Sequence, residues 1–200
     1  MIDRLLPYAF IFVAYILGSV PFGVLVSRSK GIDIQKVGSG NIGATNVLRT
    51  LGKLPALITL LGDTLKGVAA IVMIRLFAGG EVIEGIAGVA VVFGHMYSIF
   101  LSFRGGKGVA TGFGVFAVYS PVSALVSITV WILTAFFLRY SSLAAITAFF
   151  SLPVVLAVSG ASGVKIYFAI VIAFLIILRH KKNIQRLVNG QETRIGEKRN

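Results

Sequence analysis

Three polar stretches interrupt an otherwise apolar chain, and each has residue types suited to holding an anion. The first, Gly38–Arg49, reads GSGNIGATNVLR. Its glycines let backbone approach a ligand closely, its amides and hydroxyls can cradle negative charge, and Arg49 offers a planar charged fork to phosphate. Gly38, Ser39, Gly40, Asn41, Thr45, Asn46 and Arg49 are therefore expected to form an anion-binding loop. The second stretch, Arg104–Thr111, reads RGGKGVAT. Gly105, Gly106, Lys107 and Gly108 lack the spacing of a Walker A loop, yet glycine amides, a lysine and a following helix start all favour an anion. The third is RHKKN at Arg179–Asn183. His180 and Asn183, at i and i+3, share one helical face, and histidine is the commonest general base near neutral pH. Lys181 and Lys182 read as anchors at a membrane surface.

Other readings fall away on spacing or context. Gly38–Gly43 matches GxGxxG, but that pattern binds dinucleotides only between a strand and a helix, and both flanks here are apolar helical runs. Asp63 and Lys66 lie three apart inside an apolar span, where ionisable residues are costly and serve either as a structural ion pair or in function. His95 sits within another span, in keeping with a hydrogen-bonded interior histidine. The seven carboxylates form no cluster, and two histidines without cysteine do not make a usual zinc site. No metal or cofactor is expected. The absence of cysteine also excludes disulfides and thiol chemistry.

The elements that must position these stretches are membrane helices. Of 200 residues, 56% are hydrophobic and 13% charged, which excludes a soluble globule. Lys and Arg outnumber Asp and Glu by 19 to 7, pointing to cytoplasmic loops and anionic headgroups rather than nucleic acid. Apolar runs predict spans at Leu5–Ser27, Leu54–Phe77, Gly85–Phe103, Ser142–Val158 and Val164–Leu178. Gly112–Leu138 contains Pro121 and is either one long helix or two. The positive-inside rule puts residues 28–53, 104–109, Arg139 and the tail 179–200 in the cytoplasm, with 78–84 and 159–163 outside. Arg139 and Lys107 share a side only if the chain crosses twice between them, so a break is expected at Ser120–Pro121, with an unusually short first half. The expectation is an all-α polytopic membrane protein of one domain (1–200), seven spans with five as the alternative, N-terminus outside and C-terminus cytoplasmic.

Taken together, GSVPFG (Gly18–Gly23), GSGNIGATNVLRTLG (Gly38–Gly52), GDTLKG with Asp63 and Lys66, GHMY (Gly94–Tyr97), GGKGVAT (Gly105–Thr111) and RHKKNIQRLVNGQE (Arg179–Glu192) resemble, in order, the bacterial acyl-phosphate:glycerol-3-phosphate acyltransferases, the PlsY family. The resemblance implies a multi-pass enzyme of the bacterial cytoplasmic membrane. Its members transfer a fatty acyl group from acyl phosphate to the 1-hydroxyl of glycerol 3-phosphate, giving lysophosphatidic acid. It further implies that Ser39 and Arg49 match an essential pair, that Gly105, Gly106, Lys107 and Gly108 match a glycerol-phosphate loop, and that His180 and Asn183 match a catalytic pair. Glu192 matches a structural glutamate. Ser98 and Arg104 stand where proline and lysine are expected. Ala145 stands where a second serine can occur, which leaves Ser142 as the serine candidate for a phosphate contact.

The substrates expected are acyl phosphate and glycerol 3-phosphate, with membrane lipids as surroundings and no nucleic acid or obligate protein partner. Two substrate phosphates account for two basic glycine-rich loops. His180 or a substrate phosphate takes the hydroxyl proton, and Lys107, Asn183 or loop amides face the developing oxyanion. A small-anion transporter is the rival reading. Transporters usually place polar sites near the bilayer midplane in repeated halves, whereas these motifs gather at one expected face without a repeat.

Overall fold

A computed structural model describes residues 2–197; the end of the polar tail, Lys198–Asn200, lies outside the described residues. The chain is all-helical among those residues, as its composition demands: in hydrocarbon every backbone polar group must be satisfied internally. In order, the helices are α1 (Ile2–Ser19), α2 (Phe22–Arg28), α3 (Ala44–Leu51), α4 (Lys53–Phe77), α5 (Glu81–Met96), α6 (Val109–Tyr119), α7 (Pro121–Leu138), α8 (Ser141–Val158), α9 (Gly163–Arg179) and α10 (Lys181–Val188), with a 3-10 turn at Ile99–Leu101. Five runs are long and apolar enough to cross a bilayer: Pro7–Arg28, Lys53–Phe77, Glu81–Leu101, Pro121–Leu138 and Ser141–Val158. The pair α9–α10, bent by 61°, makes a sixth if it is counted as one broken span.

The break expected at Ser120–Pro121 is present. Tyr119 ends α6, and Ser120 stands in an extended conformation before Pro121 opens α7. At 11 residues α6 rises only ~16 Å, about half the hydrocarbon thickness. Its shortness has a cause in packing. Gly67 of α4 and Gly114 of α6 face each other so closely that a Cβ on either would fall about 2 Å from backbone oxygen of the other helix, at Thr111 and Thr64. Both helices run the same way, so α6 starts roughly nine residues deeper than α4. The Lys107 loop thus dips into the bundle to the level of Asp63.

The third span ends sooner than the apolar run suggests. α5 stops at Met96, not Phe103, because the loop folds back: the amides of Gly105 and Gly106 donate to the carbonyls of Met96 and His95, both at 3.0 Å. Those bonds cap carbonyls that any helix C-terminus leaves unsatisfied. The first span is broken too. Pro21 has no N–H, and the carbonyls beside the break accept from side chains instead, Ser19 O from Ser98 Oγ and Val20 O from Lys66 Nζ.

Two ends are distinct. At one, Arg75 bridges Glu84 and the Val118 carbonyl, Tyr119 donates to the Glu81 carbonyl, and Lys165 pairs with Glu81. At the other, Gln35 reaches the Arg104 carbonyl, Thr45 meets Ser141, Lys107 meets Asn183, and Arg139 exchanges backbone and side-chain bonds with Ile195. All three polar stretches therefore share one end. The core, with Ile71, Val91, Phe116, Phe149 and Ile172 fully buried, fills the bundle interior. A second small cluster of Val24, Ile34, Ile42, Val47 and Ala56 seats the first loop and α3 on α4.

Candidate active site

The first loop is shaped by one buried side chain. Asn46, on α3, accepts from the Ser39 amide at 2.9 Å and donates to the carbonyls of Ile34, Val37 and Asn41. Gly38 turns the chain at φ +60, and a Cβ there would strike the Asn46 amide oxygen. Asn46 thus shapes the loop through backbone bonds, and it also lines the cavity. Gly38 and Gly40 are turn residues outside the cavity, whereas Ser39, Asn41, Thr45, Asn46 and Arg49 line it.

The second loop is likewise fastened by its own backbone. Gly105 and Gly106 give their N–H groups to α5, and their carbonyls accept from the Arg179 guanidinium at 3.1 Å each. Their backbone is used up in fastening the loop. They do not line the cavity, but Lys107 and Gly108 do, with Gly108 at φ +80 turning the chain into α6. Arg179 also stacks over the Tyr97 ring. Its fork recognises two adjacent carbonyls, a role hidden in sequence because a basic residue ending a span reads as an anchor.

The third stretch joins them through Glu192. Lys107 Nζ donates to Asn183 Oδ1 at 2.6 Å; Asn183 Nδ2 donates to Glu192 Oε1, as does Ser142 Oγ at 2.7 Å; Arg186 Nε donates to Glu192 Oε2 at 2.6 Å. Ser142 lines the cavity and tethers Glu192, and Arg186 is a lining residue that the sequence reading did not single out. Burial raises the Glu192 carboxyl, but the bonds from Ser142, Asn183 and Arg186 outweigh it and hold it below its ordinary range. Burial pushes the Lys107 ammonium down to about 8 despite the Glu192 charge. Burial, with the Lys107 charge, pushes His180 down to about 4. His180 is neutral near pH 7, and its Nδ1–H donates to the Ile176 carbonyl at 2.8 Å, which leaves Nε2 as the basic nitrogen.

These groups surround one cavity of about 1040 Å³. Arg49, Lys107, Arg179, Lys181, Lys182 and Arg186 line it against only two carboxylates, Asp63 and Glu192, each already paired with a cation. Four helices also begin on it. The first turns of α3, α6, α8 and α10 contribute Ala44, Val109, Ser142 and Lys182 to the lining, and none has a side-chain cap. Helix N-termini carry partial positive charge and unsatisfied amides, so the polar mouth is built for anions. Its opposite wall is apolar, with Leu57, Leu60, Leu61, Phe113, Trp131 and Ile132.

Known proteins share this sequence and fold. Residues 8–190 match the model of the family described as glycerol-3-phosphate acyltransferase. The chain is 44% identical over 179 residues to the glycerol-3-phosphate acyltransferase of Geotalea daltonii, covering 90% of this chain and 92% of that one. It is 48% identical over 195 residues to that of Laribacter hongkongensis, covering 94% and 95%. The crystal structure of PlsY (YgiH), an integral membrane glycerol 3-phosphate acyltransferase, in its glycerol 3-phosphate form superposes with a TM-score of 0.91 at 44% identity, over 95% of this chain and 96% of that one. The lysophosphatidic acid form gives 0.89 at 43%, over 95% of each.

Proposed function

The chain belongs to the glycerol-3-phosphate acyltransferase family, and from that premise we propose that it transfers a fatty acyl group from acyl phosphate to the 1-hydroxyl of glycerol 3-phosphate. The observation that carries this reading is the two-sided cavity: a cationic mouth ringed by helix N-termini opposite an apolar wall. One molecule with a phosphate head and a fatty tail fits both sides, and a second phosphate fits the remaining cations. The mouth would face the cytoplasm of a bacterial cell, with the acyl chain lying between α4 and α7 towards lipid.

Acyl phosphate is a mixed anhydride with a good leaving group, so direct attack requires no acyl-enzyme. The hydroxyl oxygen bonds to the acyl carbon, the carbon–oxygen bond to phosphate breaks, and the hydroxyl proton leaves with the phosphate as hydrogen phosphate. Ser39, Arg49 and the start of α3 hold one phosphate while Lys107 and the start of α6 hold the other. Such positioning contributes roughly 7–11 kcal/mol to catalysis. Lys107, tethered by Asn183, also faces the developing oxyanion. A group near pKa 4 is a weak base at neutral pH, whereas a phosphate ionises near 6. His180 therefore accepts the hydroxyl hydrogen bond at Nε2 and orients it, and phosphate takes the proton.

Purified protein offered glycerol 3-phosphate with either an acyl phosphate or an acyl thioester tests the donor. Lysophosphatidic acid is expected from acyl phosphate alone. Product from the thioester alone would overturn the donor, and no product from either would overturn acyl transfer.

A further inference from the structure

Beneath the Lys107 loop lies a buried polar group that the reaction above leaves unused: Asp63, Lys66, His95 and Thr111. Lys66 Nζ is 2.7 Å from Asp63 Oδ1, 3.0 Å from the Val20 carbonyl and 2.8 Å from His95 Nδ1. An ammonium has three N–H groups and no acceptor, and these three partners account for all of them. With Lys66 as an ammonium, His95 Nδ1 is the acceptor of that bond; the Thr111 hydroxyl lies 3.3 Å and Asp63 Oδ1 3.4 Å from the same nitrogen. A protonated ring is excluded by the same contact, since two cationic donors cannot bond to each other. The ring is held neutral with its proton on Nε2.

That nitrogen points at the phosphate-loop side. A Cβ on Gly106 would lie 2.2 Å from His95 Nε2, so the missing side chain at 106 is what admits the imidazole. The ring is 4% exposed, its side-chain hydrogen bonds fall on Nδ1, and His95 lines the cavity beside Lys107 and Gly108. An N–H that opens on a cation-lined cavity is placed to bond an anionic ligand there.

We propose that His95 is a further substrate-contacting residue, a neutral donor fixed by Lys66 whose Nε2–H bonds the phosphate group seated against Lys107. This rests on the acyltransferase reading. The phosphate belongs either to glycerol 3-phosphate or to the acyl donor, and the chemistry recognised is the same. Asp63 and Lys66 are then positioning residues: they set the tautomer and never touch substrate.

The test uses the full chain in detergent with ¹⁵N-labelled histidine. The sequence has only two histidines, so a His180→Gln sample assigns both signals. His95 is expected to have an unprotonated Nδ1 and a protonated Nε2, with the Nε2–H resonance moving when glycerol 3-phosphate or a non-hydrolysable acyl phosphonate is added. The opposite tautomer, or a resonance that moves with neither ligand at saturation, overturns the proposal. Kinetically, His95→Gln keeps an N–H near the same point and should retain most activity, whereas His95→Leu should lose roughly ten- to hundredfold in kcat/KM, the usual cost of a bond to a charged group. The substrate whose KM rises identifies the phosphate contacted. A folded His95→Leu protein with wild-type constants for both substrates also overturns it. Wild-type formation of lysophosphatidic acid in the same assay leaves the acyltransferase reading standing in either case.

Discussion

At the scale of single residues, the site separates two ionisable groups by charge state. Lys107 near 8 and His180 near 4 are both displaced by burial, and the lysine charge lowers the histidine further. A lysine is charged below its pKa, so attraction for phosphate is largely in place at neutral pH and falls as pH rises through about 8. The kcat/KM profile of the free enzyme should therefore have a basic limb near that value. Lys107→Arg cannot deprotonate and should abolish the limb, at reduced activity because the Asn183 tether is lost. An unmoved limb would assign it elsewhere. On the acid side, a limb near 6 that persists in His180→Ala marks phosphate as the proton acceptor. A limb near 4 that vanishes in that variant marks the histidine instead. That Ser39, Arg49, Lys107, His180 and Asn183 converge on one cavity was legible in sequence, because the first three sit in glycine-rich or basic anion loops and the last two share a helical face. Arg179, Arg186 and the tethering roles of Asn46 and Ser142 were not, because a side chain's partner is set by packing.

At the scale of elements, loops hold the chemistry but helix crossings set its depth. Pro121 and the charge pattern foretold the α6–α7 break. The early end of α5 was not foretold, because Tyr97–Phe103 continues the apolar run and only bonds from Gly105 and Gly106 stop the helix. Nothing local encodes a bond between the two sides of a loop. The short α6 follows from its crossing with α4, where Gly67 and Gly114 allow backbone contact. Close approach through small residues is the usual means of helix association in lipid. Gly67→Ala places a methyl group 2.2 Å from the Thr111 carbonyl, against backbone that cannot swing aside. The helices must part, at an overpacking cost of roughly 1–3 kcal/mol. A lower thermal midpoint in detergent and a weakened Km for glycerol 3-phosphate are expected together, because α6 carries Lys107 at its entrance. Wild-type values for both would mean that this crossing does not set the loop.

At the scale of the whole molecule, charge is distributed between two ends. Arg75 and Lys165 lie at the end away from the site, and each is paired with a glutamate. Arg28, Lys30, Lys36, Arg104, Arg139, Lys181 and Lys182 lie at the site end, which is why, by the positive-inside rule, we propose that this end faces the cytoplasm. Arg139 is the discriminating residue. One long helix over 112–138 would carry it to the far side from Lys107, whereas two crossings return it. Its backbone and guanidinium bonds with Ile195 tie it to the tail that also holds Glu192. Because the chain contains no cysteine, single substitutions read topology without background. In intact cells, a membrane-impermeant thiol reagent should label Ser159→Cys, and Lys30→Cys and Arg139→Cys only after permeabilisation. Labelling of Arg139→Cys from outside, with Lys30→Cys still protected, would remove one crossing and separate the α8 end of the site from the Lys107 loop. A site that needs Ser142, Asn183 and Lys107 on one carboxylate network cannot survive that separation, so the orientation of one exposed arginine tests the assembly of the whole cavity.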